Sequence, residues 1–147
     1  MIRKPHRMRD GEQGQAIVLV ALFMVGMVAV VGLVGDGGMV FAQRRDLQNA
    51  ADAAALAGAM QIDETVYRES SGGSVVLDAS AARRATLEFL AEEGDLEYSV
   101  DVSPDRVEVA VAREAKTGFL RVIGFNSVEI TSQAHAEPRY GVSSGGS

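Results

Sequence analysis

The sequence contains no cysteine. Disulfide bonds and thiolate metal sites are therefore excluded, and a small domain in this chain must be stabilised by packing or by partners. The two histidines, His6 and His135, have no further histidine or carboxylate at the spacing of a zinc site, so each is interpreted as a surface residue. We expect no metal from these side chains.

Motifs of the common enzyme classes are also missing. The Asp36-Gly-Gly segment lacks the lysine of a phosphate-binding loop, and no strand precedes it. The acidic residues at 92–97 lack EF-hand spacing, so a solvated turn is favoured over a weak calcium site. No serine lies in a nucleophile elbow. We therefore expect no cofactor and no enzymatic activity.

No charged residue occurs between residues 13 and 35, and residues 16–34 are almost all apolar. At about 1.5 Å per residue this run spans roughly 28 Å, close to the ~30 Å hydrocarbon core of a bilayer. The pattern predicts a transmembrane helix over residues 15–35. A buried core helix is disfavoured by the uniform apolarity. A cleaved secretory signal is disfavoured by the length of the run and by the lack of an A-x-A site just after it.

Charge is divided by position along the chain. Residues 1–14 hold four basic and two acidic side chains, whereas residues 35–147 hold ten basic and eighteen acidic ones. Because positive flanks stay in the cytoplasm, we expect a single-pass protein of the cytoplasmic (inner) membrane with its N-terminus inside and its C-terminal domain outside. The lipid bilayer is then one partner. An acidic exterior gives no reason to expect nucleic-acid binding.

The stretch after the membrane segment is rich in alanine and predicts a helix that continues the span as a rod. Small residues repeat every fourth position within it, as a narrow ridge that favours close approach of another helix. The glycines next to Asp36 are compatible either with a hinge or with close packing. The helix-packing candidates are Gly26, Gly32, Asp36, Arg45, Leu47, Ala50, Ala54 and Gly58.

The remaining sequence predicts a small domain. A helix over residues 80–93 has Asp78 or Ser80 as its N-cap and Gly94 as its stop. Three alternating segments follow at 96–102, 106–112 and 128–136, with a short helix at 117–124 between the last two. The expected fold class is α+β: a long N-terminal transmembrane helix continuing into an amphipathic helix, then about three antiparallel strands and two short helices.

The predicted organisation has six parts. They are a basic cytoplasmic tail at 1–14, a transmembrane helix at 15–35, an alanine-rich extracytoplasmic helix at 36–68, a linker at 69–77, an α+β extracytoplasmic domain at 78–140 and a disordered tail at 141–147.

The segment DGGMVFAQRRDLQNAADAAALAGA at residues 36–59, together with the apolar run before it, resembles the signature of TadE/TadG-like proteins of the tight-adherence (Flp) pilus. Residues 118–136 are similar to a later part of TadG-like domains. The resemblance implies a bacterial cell-envelope protein that acts as a minor pilin or assembly factor. TadE-like members resemble prepilins, which are cut after a glycine and carry glutamate at the fifth mature position.

In this sequence the bond between Gly14 and Gln15 is the candidate processing site, but Leu19 stands where that glutamate would be. The departure favours the TadG-like branch. The resemblance implies a non-enzymatic, membrane-anchored subunit or assembly factor, at the inner membrane or at the cell surface in the pilus. Its expected partners are other membrane proteins of the Tad system, with homo- or hetero-oligomers formed through the N-terminal helix. The alternative is a membrane-tethered envelope binding module unrelated to pili.

Overall fold

The computed structural model describes residues 10–138, and the side chains of all of these except residues 10–13 and 123. The predicted C-terminal tail, most of the predicted basic tail and His6 lie outside the described residues. The secondary-structure elements are α1 (Asp10–Ala59), α2 (Glu64–Glu69), α3 (Ala79–Glu92), β1 (Glu97–Ser103), β2 (Arg106–Lys116), a 3-10 helix (Leu120–Ile123) and β3 (Ser127–Ala136).

Helix α1 runs through the apolar segment and the alanine-rich segment without a break. At about 1.5 Å per residue, its 50 residues extend over roughly 75 Å. It is long and apolar enough to cross a membrane, and its large apolar side chains from Ile17 to Val34 are all more than half exposed. Gly35, Gly37 and Gly38 lie inside the helix with nothing within 4 Å of a Cβ built on them, so neither a break nor a close neighbour accounts for these glycines.

The three strands form one antiparallel sheet in the order β1-β2-β3. The hairpin between β1 and β2 turns at Pro104-Asp105, with Ser103 paired to Arg106, as the alternating pattern predicts. Strand β2 pairs with β3 over its length, from Val107 opposite Ala136 to Lys116 opposite Ser127. One face of the sheet is covered by α1 and α3, and the other carries polar side chains, so the domain has two layers.

The core of the domain lies between the second half of α1 and the sheet. The face of α1 that points inward consists of Leu47 and of alanines at 51, 54 and 55, all fully buried. Opposite them lie the valines of β2, of which Val107 is fully buried. Leu90 of α3 completes the cluster. The alanine-rich rod is therefore the central helix of the domain.

Short polar caps set the ends of the helices that follow α1. The Asp78 carboxylate accepts hydrogen bonds from the backbone N–H groups of Ser80 and Ala81, at 2.9 and 3.0 Å, which makes Asp78 the N-cap of α3. The helix stops at Gly94, whose φ of +84° suits glycine. The structure thus decides between the two predicted caps in favour of Asp78.

The fold class predicted from the sequence is confirmed: a long apolar N-terminal helix precedes a three-stranded antiparallel sheet and short helices. Some details differ. The pattern extends the alanine-rich helix to residue 68, whereas α1 ends at Ala59 because Ile62 bridges to Leu77 and Asp63 caps the separate helix α2. Tyr98 and Val128 pair with the buried Val111 and Ala115, yet they are 46% and 38% exposed because both lie on edge strands.

Gly58 allows α3 to approach α1 closely, and replacing it tests this packing. A Cβ at this position would lie 2.3 Å from Thr86 Oγ1 and 3.1 Å from the Ala82 carbonyl oxygen. We expect Gly58→Ala to destabilise the domain by about 1–2 kcal/mol, since overpacking outweighs the gain of up to about 1 kcal/mol in helix propensity. Thermal unfolding of the full chain in detergent measures the change.

The matched control is Gly38→Ala, on the same helix with nothing within 4 Å of the added Cβ. This control should be neutral or more stable. Adding Thr86→Ala to Gly58→Ala removes the nearest clash and should restore part of the melting temperature. Equal melting temperatures for the two glycine variants would contradict the packing argument.

Candidate functional site

The most unusual side chain of the described chain is Asp36, an acidic residue on α1 directly after the apolar run. Only 4% of its surface is exposed. A carboxylate in such a position is costly unless its charge is satisfied by hydrogen bonds. Its partners come from residues more than 80 positions later in the sequence.

Three consecutive backbone N–H groups donate hydrogen bonds to the Asp36 carboxylate. The N–H groups of Gly118 and Phe119 each lie 3.0 Å from Oδ1, and that of Leu120 lies 2.6 Å from Oδ2. These groups precede or begin the 3-10 helix Leu120–Ile123, so the carboxylate occupies the anion-binding end of that turn. Hydrogen bonds to an ionised acceptor are stronger than neutral ones. We call this contact the Asp36 junction.

The same hydrogen bonds set the protonation state of the carboxylate. The N–H groups of Leu120, then of Phe119 and Gly118, hold the pKa of Asp36 below its ordinary value, and they outweigh partial desolvation, which acts in the opposite direction. A carboxylate that is ionised at neutral pH and already bound by three donors is a poor general base. The geometry therefore supports an anchoring role for Asp36.

One turn before Asp36, Gly32 provides room for an aromatic ring. A Cβ built on Gly32 would lie 2.3 Å from Phe119 Cγ and 2.5–2.8 Å from both Cδ atoms, which real Cβ contacts do not reach. Gly32 and Asp36 are four residues apart and so lie on the same side of α1. Gly32 thus leaves space for the Phe119 ring, while the Asp36 carboxylate accepts hydrogen bonds from the backbone of residues 118–120.

Phe119 lies on a segment whose two ends are joined by hydrogen bonds, which hold it in a compact shape. We call these joined ends, Thr117 and residues 125–126, its neck. The Thr117 N–H donates to the Asn126 carbonyl oxygen at 3.2 Å, and the buried Thr117 hydroxyl donates to the carbonyl oxygen of Phe125. Gly124, with a φ of +99°, ends the 3-10 helix between them. We call residues 117–126 the docking loop.

The helix-packing candidates of the sequence analysis fall into three groups in the structure. Gly32 and Asp36 form the junction with the docking loop. Among the described residues, nothing lies within 4 Å of a Cβ built on Gly26, and Arg45 is exposed. The others are buried beneath the chain's own sheet and α3: Leu47, Ala50, Ala54 and Gly58. The candidate processing residue Gly14 is exposed and has no neighbour within 4 Å.

The sequence alone did not reveal the other half of the junction. Its donors are backbone groups, which carry no sequence signal, and Phe119 was assigned only to a short amphipathic helix. A usable signal was the cost of an aspartate at the end of a membrane span, about 3 kcal/mol at the centre of a bilayer, which calls for a partner. The glycine one turn earlier was the second signal.

The Asp36 junction should weaken in acid. Because its pKa is lowered in the docked state, the carboxylate stabilises docking fully above its ordinary pKa of about 3.9, and this contribution is lost as the pH falls through the lowered value. We expect the amide NMR signals of Gly118, Phe119 and Leu120 in the full chain to titrate together, with a midpoint below 3.9.

The variant Asp36→Asn should abolish that titration and increase amide exchange at the same three residues at neutral pH, whereas Asp46→Asn, at an exposed site on the same helix, should leave both unchanged. Local signals are needed because the pKa of Asp78 is also lowered, chiefly by the Ala81 N–H, so global acid unfolding reports on both carboxylates. Unchanged amide exchange in Asp36→Asn would show that the carboxylate does not hold the loop.

The apolar and alanine-rich part of the chain matches a known protein family. Residues 14–61 match the family model described as "Putative Flp pilus-assembly TadE/G-like", over about a third of the chain and most of α1. Searches of curated proteins and of solved structures gave no match. Through residues 14–61 the chain thus matches the TadE/G-like family, which confirms the resemblance read from the sequence and supports involvement in Flp pilus assembly.

Proposed function

We propose that this protein is a single-pass, membrane-anchored subunit or assembly factor of a Flp-type pilus, with the α+β domain held outside the membrane. The observation that carries the proposal is the position of the family match. It covers the apolar half of α1, whose large apolar side chains are exposed, and also the half that forms the core of the domain. One helix therefore links the membrane to the external structure.

The charges around the span support an orientation with the N-terminus inside. Four basic residues precede the apolar run, and the residues after it are acidic on balance. Asp36 comes directly after the run, where the junction with the docking loop keeps its charge satisfied at the outer edge of the span. The domain then stands on the extracytoplasmic side of the inner membrane.

Packing against the apolar half of α1 supports a retained anchor rather than a removed signal. The Phe119 ring sits against Gly32, inside the last turns of the apolar run. Cleavage directly after that run would remove Gly32 and with it this contact. The nearest A-x-A sequences lie further along the chain, at residues 53–59. Cleavage there would remove most of the helix that covers the sheet. The folded domain therefore depends on residues that a signal peptidase would discard.

The surface left for partners also supports assembly through helix packing. The small-residue ridge of the rod is occupied within the chain, which leaves the apolar half of α1 available for contacts with other pilus-system membrane proteins. There Gly26 is open and permits close approach of another helix in lipid. Pilus-assembly families are in general structural, which supports a non-enzymatic role for this chain.

A double charge substitution in the middle of the span tests the anchoring step. Val25 and Val28 are 67% and 63% exposed and do not belong to the core of the domain. Each aspartate near the bilayer centre costs about 3 kcal/mol on the insertion scale. Two of them cost about as much free energy as all apolar side chains of the run gain on entering the bilayer. We expect Val25→Asp/Val28→Asp to release the folded protein from membranes and to abolish surface pili.

The control variant is Val25→Leu/Val28→Leu, which preserves apolarity at the same positions and should retain both membrane location and pili. The aspartate variant must be present at the same abundance as the natural protein, so that a loss of pili does not reflect degradation. Normal piliation by the aspartate variant, or loss of membrane location without any effect on pili, would refute a role of this chain in pilus assembly.

The bond between Gly14 and Gln15 is the remaining sequence-based site, and we propose that it stays uncleaved because Leu19 replaces the glutamate of processed prepilins. Mass spectrometry of the protein from purified membranes and from sheared surface filaments should find a peptide that spans the bond. A mature N-terminus at Gln15 in the filament fraction would instead identify the chain as a processed pilin.

A further inference from the structure

The tip of the docking loop carries exposed apolar side chains next to the membrane span. Val122 is 79% exposed and Phe125 is 62% exposed. The neck hydrogen bonds of Thr117 and the bond from the Phe125 N–H to the Leu120 carbonyl oxygen, 3.0 Å long, hold this tip in one conformation. Exposed bulky residues on a fixed loop indicate a contact surface.

The height of this tip along α1 follows from the junction. Phe119 contacts Gly32, which lies two residues, or about 3 Å, inside the end of the apolar run at Val34. The Asp36 carboxylate binds the backbone of residues 118–120 just above that level. The docking loop therefore lies where the hydrocarbon core gives way to the headgroup region, if α1 spans the bilayer.

We propose that the docking loop is a second membrane contact, in which Val122 and Phe125 insert into the outer interface of the same bilayer that α1 crosses. The inference rests on the proposed transmembrane function of α1. The Phe119–Gly32 contact holds the loop against the apolar run of α1. Aromatic and aliphatic side chains at this depth bind interfacial lipid.

The charges around the loop point to recognition by apolar insertion rather than by lipid charge. Lys116 and Arg121 are exposed at this end of the domain, but so are Glu114 and Glu129, which face each other across β2 and β3. Asp95 and Glu97 line the same end of the sheet, so acidic side chains offset the basic ones and no net attraction to anionic lipid results. We therefore expect contact with both neutral and anionic bilayers, without strong dependence on salt.

A single tryptophan can test the contact, because the natural sequence contains none. The full chain with Phe125→Trp is reconstituted into phosphatidylcholine vesicles, with and without phosphatidylglycerol, that contain lipids carrying a quencher near the headgroup or near the chain end. We expect blue-shifted emission and a larger loss of emission with the shallow quencher, in both lipid mixtures. Iodide in the buffer should quench this tryptophan weakly.

Two further tryptophans calibrate the depth. Phe23→Trp, in the middle of the apolar run, should be quenched most by the quencher near the chain end. Tyr67→Trp, on α2 beyond the far end of α1, should be quenched by iodide and by neither of the two lipid quenchers. Combining Phe125→Trp with Gly32→Ala should displace Phe119 and shift the emission towards that of the water-exposed control. The matched Gly26→Ala background, where the added Cβ meets nothing, should keep the lipid quenching.

The outcomes separate the two proposals. If Phe23→Trp is not quenched by lipid, the transmembrane proposal itself fails. If Phe23→Trp is quenched but Phe125→Trp is open to iodide and insensitive to both lipid quenchers, the second membrane contact is refuted while the anchor stands. Shielding of Phe125→Trp only after other Tad-system membrane proteins are added would likewise overturn the lipid contact and assign the tip to a protein interface.

Discussion

Burial of the alanine face of α1 under the sheet is the interaction on which the rest of the structure depends. The sheet has one apolar face, built from the valines of β2 and from Ile130 and Ala134 of β3, and α1 is the main element that covers it. Alanines at positions 51, 54 and 55 and glycine at 58 keep the helix thin, so that the sheet and α3 can approach its backbone closely. In a domain this small, the sheet and α3 alone would bury little apolar surface, and the second half of α1 supplies the rest of the core.

Sharing the helix has a mechanical consequence. A domain joined to the apolar run by a flexible linker could rotate freely, but here the same α-helix passes from the apolar run into the core without a break. The Asp36 junction adds a second connection, because the docking loop is bound both to the last apolar turn and to the first polar residue. The domain and the apolar run are thus joined at two positions along α1, which favours movement as one rigid body.

The sequence predicted those features that depend on local periodicity. Alternation identified the hairpin and β3, and the capping signal at Asp78 or Ser80 located the start of α3 to within two residues. The partners of the small-residue ridge were not predictable, because alanine side chains at 50 and 54 have no bulk that would specify what covers them. The donors to Asp36 were hidden for a different reason: backbone N–H groups are present at every residue except proline, so only the tertiary fold shows which three converge on a carboxylate.

Occupation of the ridge within the chain changes how an assembly of such proteins can form. A sequence with small residues every fourth position invites a bundle in which rods of neighbouring subunits pack together. In the described residues that face is filled by the sheet and α3, and opening it would expose Leu47, the valines of β2 and Leu90 to water. Since burial of each such side chain contributes about 1.5–3 kcal/mol, exchange of this core for a partner helix is unfavourable. Contacts with other proteins are then left to surfaces that the described fold does not occupy, namely the apolar half of α1 and the outer face of the sheet.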